Sequence, residues 1–209
     1  MTFPEPSTNS FAAVVLAAGN SSRMAGRHKL LLPVGDEPAL RRTVRALLDA
    51  GPAEVVVVTG FNAAAVSAAL HGLPVRFTHN PRWQEGQMTS VASGIAALQV
   101  PCSTIMVCLA DQILLAADDY TVLARAFAAR ASGSIMVPQF AGQRGNPVLF
   151  AASHADSIVA GERNLGCRKL IDDNPDQVVA FTANHDRYTT DMDTPQDYER
   201  LLARLGLTP

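Results

Sequence analysis

Three short stretches of this chain are apolar without a break: Ala13-Val14-Val15-Leu16-Ala17-Ala18, Val55-Val56-Val57-Val58-Thr59 and Thr104-Ile105-Met106-Val107-Cys108-Leu109. A strand with one wet face alternates polar and apolar residues. Runs apolar on both faces belong to parallel strands covered by helices on both sides. Val75 to Thr78, Ile135 to Val137, Val148 to Phe150 and Val178 to Phe181 are shorter strand candidates. Helical patterns fall between them. Pro38 to Ala50 puts Leu40, Val44, Leu47 and Leu48 on one stripe and stops at Gly51-Pro52; Ala63 to Leu70, Thr89 to Leu98, Asp118 to Arg130 and Leu165 to Ile171 follow. Asp193-Thr194-Pro195-Gln196-Asp197 opens a last helix to about Leu205. Thr194 or Asp193 can cap it, Pro195 suits its first turn, and Asp197 sits near its positive end. This order predicts an α/β fold: a single doubly wound, mostly parallel, Rossmann-like sheet with helices on both faces and right-handed crossovers.

At 209 residues the chain can bury about 70% of the surface its unfolded form exposes, without disulfide or metal staples. With 48% hydrophobic and 17% charged residues it is globular rather than disordered. A net charge of -2 argues against a nucleic-acid binder that works by neutralising phosphates. No apolar run reaches the roughly 18 residues of a membrane span. Residues 1–10 are polar, carry Pro4 and Pro6, and lack the basic and apolar regions of a secretory signal; they read as a flexible tail before a single domain over 11–209. Cys102, Cys108 and Cys167 form no metal or disulfide pattern, which fits a reducing cytoplasm. The histidines show no metal spacing, and neither G-x-S-x-G nor H-E-x-x-H occurs. A monomer is the default expectation.

Ligands of a doubly wound sheet bind beyond the carboxyl ends of its strands. The loop after the first strand reads Leu16-Ala17-Ala18-Gly19-Asn20-Ser21-Ser22-Arg23-Met24-Ala25-Gly26-Arg27-His28-Lys29. Small residues admit a ligand close to the backbone, backbone N–H groups can hold phosphate oxygens, and Arg23 and Lys29 bring positive charge. The dinucleotide fingerprint fails, because Ser21 stands where its second glycine belongs and strand two ends in Thr59-Gly60. The P-loop fails as well, because Met24-Ala25-Gly26 replaces its G-K-[ST]. Asp111, just past a central apolar run, is placed to ligate Mg²⁺, an ion that takes one or two carboxylates with phosphate oxygens and water; the lesser alternative is a helix cap.

The loop resembles the signature of sugar-phosphate and cofactor nucleotidyltransferases. The resemblance is nearest to the molybdenum-cofactor cytidylyltransferase branch of the MobA-like group and runs from about Ala12 to Leu202. Further stretches match in order: Thr59-Gly60-Phe61, Asn80-Pro81-x-Trp83-x-x-Gly86, Ser90-Val91-x-x-Gly94-Ile95, Leu109-Ala110-Asp111-Gln112, Arg144-Gly145-Asn146-Pro147 and Asp191-x-Asp193-Thr194-Pro195-x-Asp197. Ala17-Ala18-Gly19, rather than Ala-Gly-Gly, is closer to the cytidylyl than to the guanylyl branch. Two positions depart from the pattern: Ile113 where proline is usual, and Asn164 where aspartate is usual. Both are expected near the acceptor side.

The resemblance implies a nucleotide-diphospho-sugar/NTP transferase type of sheet. It also implies a Mg²⁺-dependent enzyme that moves CMP from CTP to a phosphorylated cofactor, with molybdopterin carrying molybdenum as first choice. Leu16, Ala17, Ala18, Gly19, Ser21, Arg23, Lys29, Gly86 and Ser90 would bind nucleotide. Arg144, Gly145 and Asn146 would bind the acceptor. Asp111 and Asp193 would hold the metal, with Asp191 the other candidate in that segment. Lys29, Arg23 and Asp111 would be catalytic. A molybdoenzyme or its chaperone is the implied protein partner. Alternatives are a GTP-using guanylyltransferase, a redox enzyme that has recruited the fold, and a non-catalytic nucleotide-binding chaperone; fold alone does not choose among them.

Overall fold

The protein is described from a computed structural model, over residues 10–160 and 171–208. The strands are β1 (Phe11–Ala17), β2 (Pro33–Val34), β3 (Glu37–Pro38), β4 (Glu54–Thr59), β5 (Arg76–His79), β6 (Thr104–Leu109), β7 (Ile135–Phe140), β8 (Gln143–Arg144), β9 (Val148–Ala151) and β10 (Val178–Thr182). An 8-stranded sheet has the order β10-β7-β9-β6-β1-β4-β5, with β8 paired to β7, while β2 and β3 form a separate pair. The apolar runs are its centre. β1 lies parallel to β4 on one side and β6 on the other, so Val14 is flanked by Val56 and Val107. β9 runs against both β6 and β7. Its connection from β7 passes only through short β8, too little chain for the helical crossover that a parallel return requires.

The helices are α1 (Ala39–Asp49), α2 (Ala63–Ala69), α3 (Gln87–Ala96), α4 (Ala117–Ala128), α5 (Ala155–Val159) and a closing helix, Pro195–Arg204. Most begin and end within two residues of the sequence expectation. α3 starts early because Gly86, at φ 117°, ends the preceding turn and leaves Gln87 as the first helical residue. The helix expected over Leu165 to Ile171 lies, apart from Ile171, outside the described residues. None of the helices among the described residues is long and apolar enough to cross a membrane.

Alternate residues of the central strands face opposite helical layers. Ala13, Val15, Val55, Val57, Met106 and Cys108 pack with Leu40, Val44 and Leu47 of α1 and with Tyr120, Leu123 and Phe127 of α4. Val14, Val58, Ile105 and Val107 face Val91 and Ile95 of α3 and Ile158 of α5. A third cluster joins Met24, Val34, Ile113 and Met192 to Tyr198, Leu201 and Leu202 of the closing helix. Ile113 is therefore a fully buried core residue, not part of an acceptor surface. The other departure, Asn164, lies outside the described residues.

Gly94 sets the distance between α3 and the sheet. A Cβ there would fall 2.2 Å from Val14 Cγ1 and 2.8 Å from Val58 Cγ2. Gly94→Ala is expected to force α3 outward and cost about 1–3 kcal/mol. For a domain of this size that lowers the melting temperature by roughly 2–10 °C. An unchanged melting temperature would show that the interface gives way freely.

Candidate functional site

The site lies at the carboxyl ends of β1, β4 and β6. After Ala18 the chain leaves the sheet, and Ser21, at φ 55°, turns it back. The Ser21 hydroxyl accepts the backbone N–H of Lys29 at 3.1 Å, and the Met24 N–H bonds the Ser21 carbonyl at 2.9 Å. Met24 is fully buried and pins the loop to the third core cluster. The loop thereby delivers Lys29 to the end of β6, where its ammonium bonds Asp111 Oδ2 and reaches Asp193 Oδ1 at 2.9 Å. Arg23 bonds the other Asp193 oxygen, Oδ2, at 2.9 Å. Burial opposes the charge on Lys29, but the attraction of Asp111 and Asp193 outweighs it and raises its pKa above the ordinary lysine value.

Asp193 is free for this role because it does not cap the closing helix. Thr194 does: its hydroxyl accepts the Asp197 N–H at 3.1 Å, while Asp197 Oδ2 accepts the Thr194 N–H at 2.9 Å and the Asp193 N–H at 3.2 Å. Asp191 stands behind this pair. Burial, and the nearby charges of Asp111 and Asp193, push its carboxyl up to about 6. One oxygen of Asp111 and one of Asp191 are buried without a hydrogen-bond partner.

A cleft of about 220 Å³ opens beside Lys29. Its lining includes Leu16, Ala18, Gly19, Lys29, Ser90 and Asp111, together with Trp83 and Gln87. A second cleft of about 450 Å³ shares Gln87 and Leu109 with the first and is lined by Arg144, Gly145 and Asn146. Most residues expected to bind nucleotide and all three expected to bind acceptor thus face adjoining cavities. Ala17 does not; its side chain faces the core at 1% exposure, leaving only its backbone near the loop. Ser21, Gly86, Arg23 and Asp193 shape or flank the first cleft without lining it. Ser90 is buried and accepts the Asn80 amide at 3.0 Å, which leaves its own hydroxyl proton to donate. Arg144 is exposed and bonded to Asp172 at 2.6 Å. A further cavity of about 460 Å³ lies at the opposite ends of the strands, by Phe11, Ala50 and Arg125; it gathers no comparable charged group.

Sequence reasoning missed the groups that hold the segment carrying Asp191 and Asp193. The Tyr188 carbonyl accepts the Gln112 side-chain amide at 2.8 Å and the Asn146 N–H at 2.8 Å, joining the end of β6 to the Arg144-Gly145-Asn146 loop. A Cβ on Gly145 would lie 2.3 Å from that same carbonyl oxygen. The Tyr188 hydroxyl donates to the Asp119 carbonyl at 2.8 Å. Asp119 is itself buried. Its Oδ2 accepts from Arg187 and from the Ala116 N–H, both at 2.8 Å, and its Oδ1 lies 3.1 Å from His185 Nε2. Only the positions of Gln112, Gly145 and Asn146 inside quoted motifs hinted at this network.

The fold and the site fit what the chain is similar to. Residues 13–178 match the MobA-like NTP transferase domain. The chain belongs to this family. Nicotine blue oxidoreductase of Paenarthrobacter nicotinovorans is 29% identical, over 90% of this chain and 95% of its own. The bifunctional protein GlmU of an Anaeromyxobacter strain is 37% identical over 59% of this chain, which spans only 26% of that protein. Among solved structures, Rv0371c of Mycobacterium tuberculosis has a TM-score of 0.80 at 27% identity, covering 94% of this chain and 100% of that one. A nucleotidyl transferase from Methanothermobacter thermautotroptrophicus gives 0.77 at 26%, covering 94% and 97%. Rv0371c has also been determined in complex with manganese, matching at 0.73 and 25% identity over 93% and 98%.

This MobA-like domain should depend on Asp119 for its stability. Asp119→Asn removes the charge that faces Arg187 and is expected to cost about 1–3 kcal/mol. The same change at the neighbouring exposed Asp118 should stay within about 0.5 kcal/mol. Thermal unfolding of the two variants side by side decides it, and equal melting temperatures would remove Asp119 as the anchor.

Proposed function

We propose that this protein is a Mg²⁺-dependent nucleotidyltransferase that moves CMP from CTP to a phosphorylated cofactor, with molybdopterin carrying molybdenum as the first-choice acceptor. The observation that carries the reading is the meeting of Lys29, Asp111 and Asp193 at the mouth of a cleft that adjoins a second, Arg144-lined one. The small signature residues and Ser90 face the nucleotide, and Arg144, Gly145 and Asn146 face the acceptor.

The carboxylates fit a magnesium ion. Asp111 and Asp193 already converge on one cation, and an Asp111 oxygen is buried without a partner. Among the described residues no group of three or more His, Cys, Asp or Glu could hold a metal by itself, so phosphate and water would complete the shell. When bound there, the ion supplies positive charge against the triphosphate.

The chain's own residues do the rest. The acceptor phosphate oxygen attacks the α-phosphorus of CTP; a new P–O bond forms, the bond to the β-phosphate bridging oxygen breaks, and pyrophosphate leaves with that electron pair. The nucleophile is already ionised at neutral pH, so no side chain needs to take a proton from it. Lys29 neutralises charge that develops at the α-phosphate, and Arg23 holds the leaving pyrophosphate. Catalysis is then positioning plus charge stabilisation. A second reading, a redox enzyme on the same fold, is favoured by one observation: a relative named as an oxidoreductase matches over nearly its whole length.

Thermal stability with Mg²⁺ and each of CTP, GTP, ATP, UTP and NADPH separates these readings. A ligand at about 100 times its dissociation constant adds about 2.7 kcal/mol. A selective rise with CTP that disappears in Asp111→Asn is the expected result. A rise with GTP alone moves the protein to guanylyl transfer, and a rise with NADPH alone sinks the transferase reading. Lys29→Ala should lower pyrophosphate release by about 10²-fold or more, as for loss of one preorganised transition-state donor. Unchanged release would take Lys29 out of the catalytic set.

A further inference from the structure

Two of the sequence stretches, Thr59-Gly60-Phe61 and Asn80-Pro81-x-Trp83-x-x-Gly86, hold no charge or metal in the mechanism above, yet the fold brings them together beside the first cleft. Trp83 lines that cleft with Gly19, Lys29 and Ser90. It lies against the backbone of Gly60, where a Cβ would come within 2.7 Å of Trp83 Cγ and 2.8 Å of the Ala18 carbonyl oxygen. Phe61 supports the indole from the side, with ring centroids 5.9 Å apart and planes at 61°. Its other neighbour is His28, stacked at 5.7 Å with planes at 19°. Both His28 ring nitrogens are buried without a hydrogen-bond partner. The row runs from the residue next to Lys29 to the cleft wall.

Phe61 is 42% exposed, one of the few large apolar side chains left open to solvent among the described residues. A core aromatic is normally covered. Here the row instead borders a cavity with aliphatic walls at Leu16, Ala18, Leu30 and Leu109 and polar groups at Lys29, Gln87, Ser90 and Asp111. Glycine at position 60 is the condition for the arrangement, since any side chain there would displace the indole from Ala18. An indole fixed on its support, in a cleft that pairs aliphatic walls with the polar groups of Ser90 and Gln87, suits a flat π-system: its face is covered by stacking and its edge meets hydrogen bonds.

We propose that Trp83, braced by Phe61 and His28, is a stacking wall for the nucleobase, so that the ring of the nucleotide contributes to binding independently of its phosphates. This rests on the nucleotide reading given above. Stacking accepts any base face, so the wall supplies affinity and leaves the choice of base to groups such as Ser90 and Gln87.

Trp83 is the sole tryptophan of the chain, so its emission reports on the wall alone. Wild-type protein with Mg²⁺ is titrated with CTP, with GTP and with inorganic tripolyphosphate, following both emission and melting temperature. The expected result is saturable quenching by the nucleoside triphosphates, and a raised melting temperature with no quenching for tripolyphosphate. Trp83→Leu should weaken CTP or GTP binding by about 10-fold or more while changing tripolyphosphate binding less than about twofold. Trp83→Phe should recover most of the loss. Phe61→Ala, at an exposed position, tests the same wall should Trp83→Leu not fold, and is expected to weaken nucleotide binding in the same selective way. Nucleotide stabilisation without quenching, together with wild-type nucleotide affinity in the variants, overturns the wall and leaves the transferase reading standing. Failure of every triphosphate to stabilise the wild type overturns the nucleotide reading and the wall with it.

Discussion

The ammonium of Lys29 sits between carboxylates from the end of β6 and from the segment before the closing helix, and three distant parts of the chain meet there. Such a contact is expensive to assemble. Each charge gives up water, and the mutual attraction repays this only where the geometry is good and the remaining oxygens are served. The protein meets that condition in part. Arg23 serves the second oxygen of Asp193, while one oxygen of Asp111 is left buried and unserved. A site held by strong, partly unsatisfied charge pairs is poised to exchange partners when an ionic ligand enters, whereas an apolar contact in the same place would only resist it.

What makes the contact possible is the central position of β1. Flanked in parallel by β4 and β6 and buried on both faces, it gives the signature loop a fixed point of departure beside Asp111. α3 can approach closely because residue 94 carries no side chain, and that helix places Ser90 and Gln87 at the cleft. On the far side the Tyr188 carbonyl, shared by Gln112 and Asn146, ties the Arg144-Gly145-Asn146 loop and the segment leading to Asp191 and Asp193 to the end of β6. Sheet and site are therefore one mechanical unit.

The frame was legible in the sequence because hydrophobic runs are a local signal. Ala13 to Ala18, Val55 to Thr59 and Thr104 to Leu109 each became a central strand, and the stripe of Leu40, Val44 and Leu47 became the buried face of α1. Lys29 and Asp111 stood out as charged residues in the first loop and at a strand end, whereas Asp193 came from the resemblance alone; the fold brings the three together. Asp119 was not legible, because a buried carboxylate near the start of a helix reads as an ordinary first-turn acid; its partners, His185 and Arg187, are far away in sequence. Ile113 misled for the opposite reason. Its neighbours Asp111 and Gln112 suggest a surface loop, but the chain turns it inward against Met24 and Met192. Ala17 shows the limit of reading a loop as a string, since strand alternation sends its side chain away from the cleft that Leu16 and Ala18 line.

Charge arithmetic at the site bears on which ligands it can hold. Lys29 and Arg23 contribute two positive charges, and Asp111, Asp191 and Asp193 contribute three negative ones when all are ionised. The side chains alone thus leave a formal surplus of one negative charge, and a bare triphosphate would be repelled. The burden of that surplus falls on Asp191, whose carboxyl is pushed up to about 6 by burial and by its two acidic neighbours. A divalent cation, counted apart from the nucleotide's own charge, would reverse the sign of that surplus. A cation held by Asp111 and Asp193 would replace Lys29 and Arg23 as their partner and leave those two side chains to face phosphate oxygens. A metal-bound triphosphate would keep net negative charge of its own, and Lys29 and Arg23 are the groups left to face it, which is the condition under which charge stabilisation can favour a transition state.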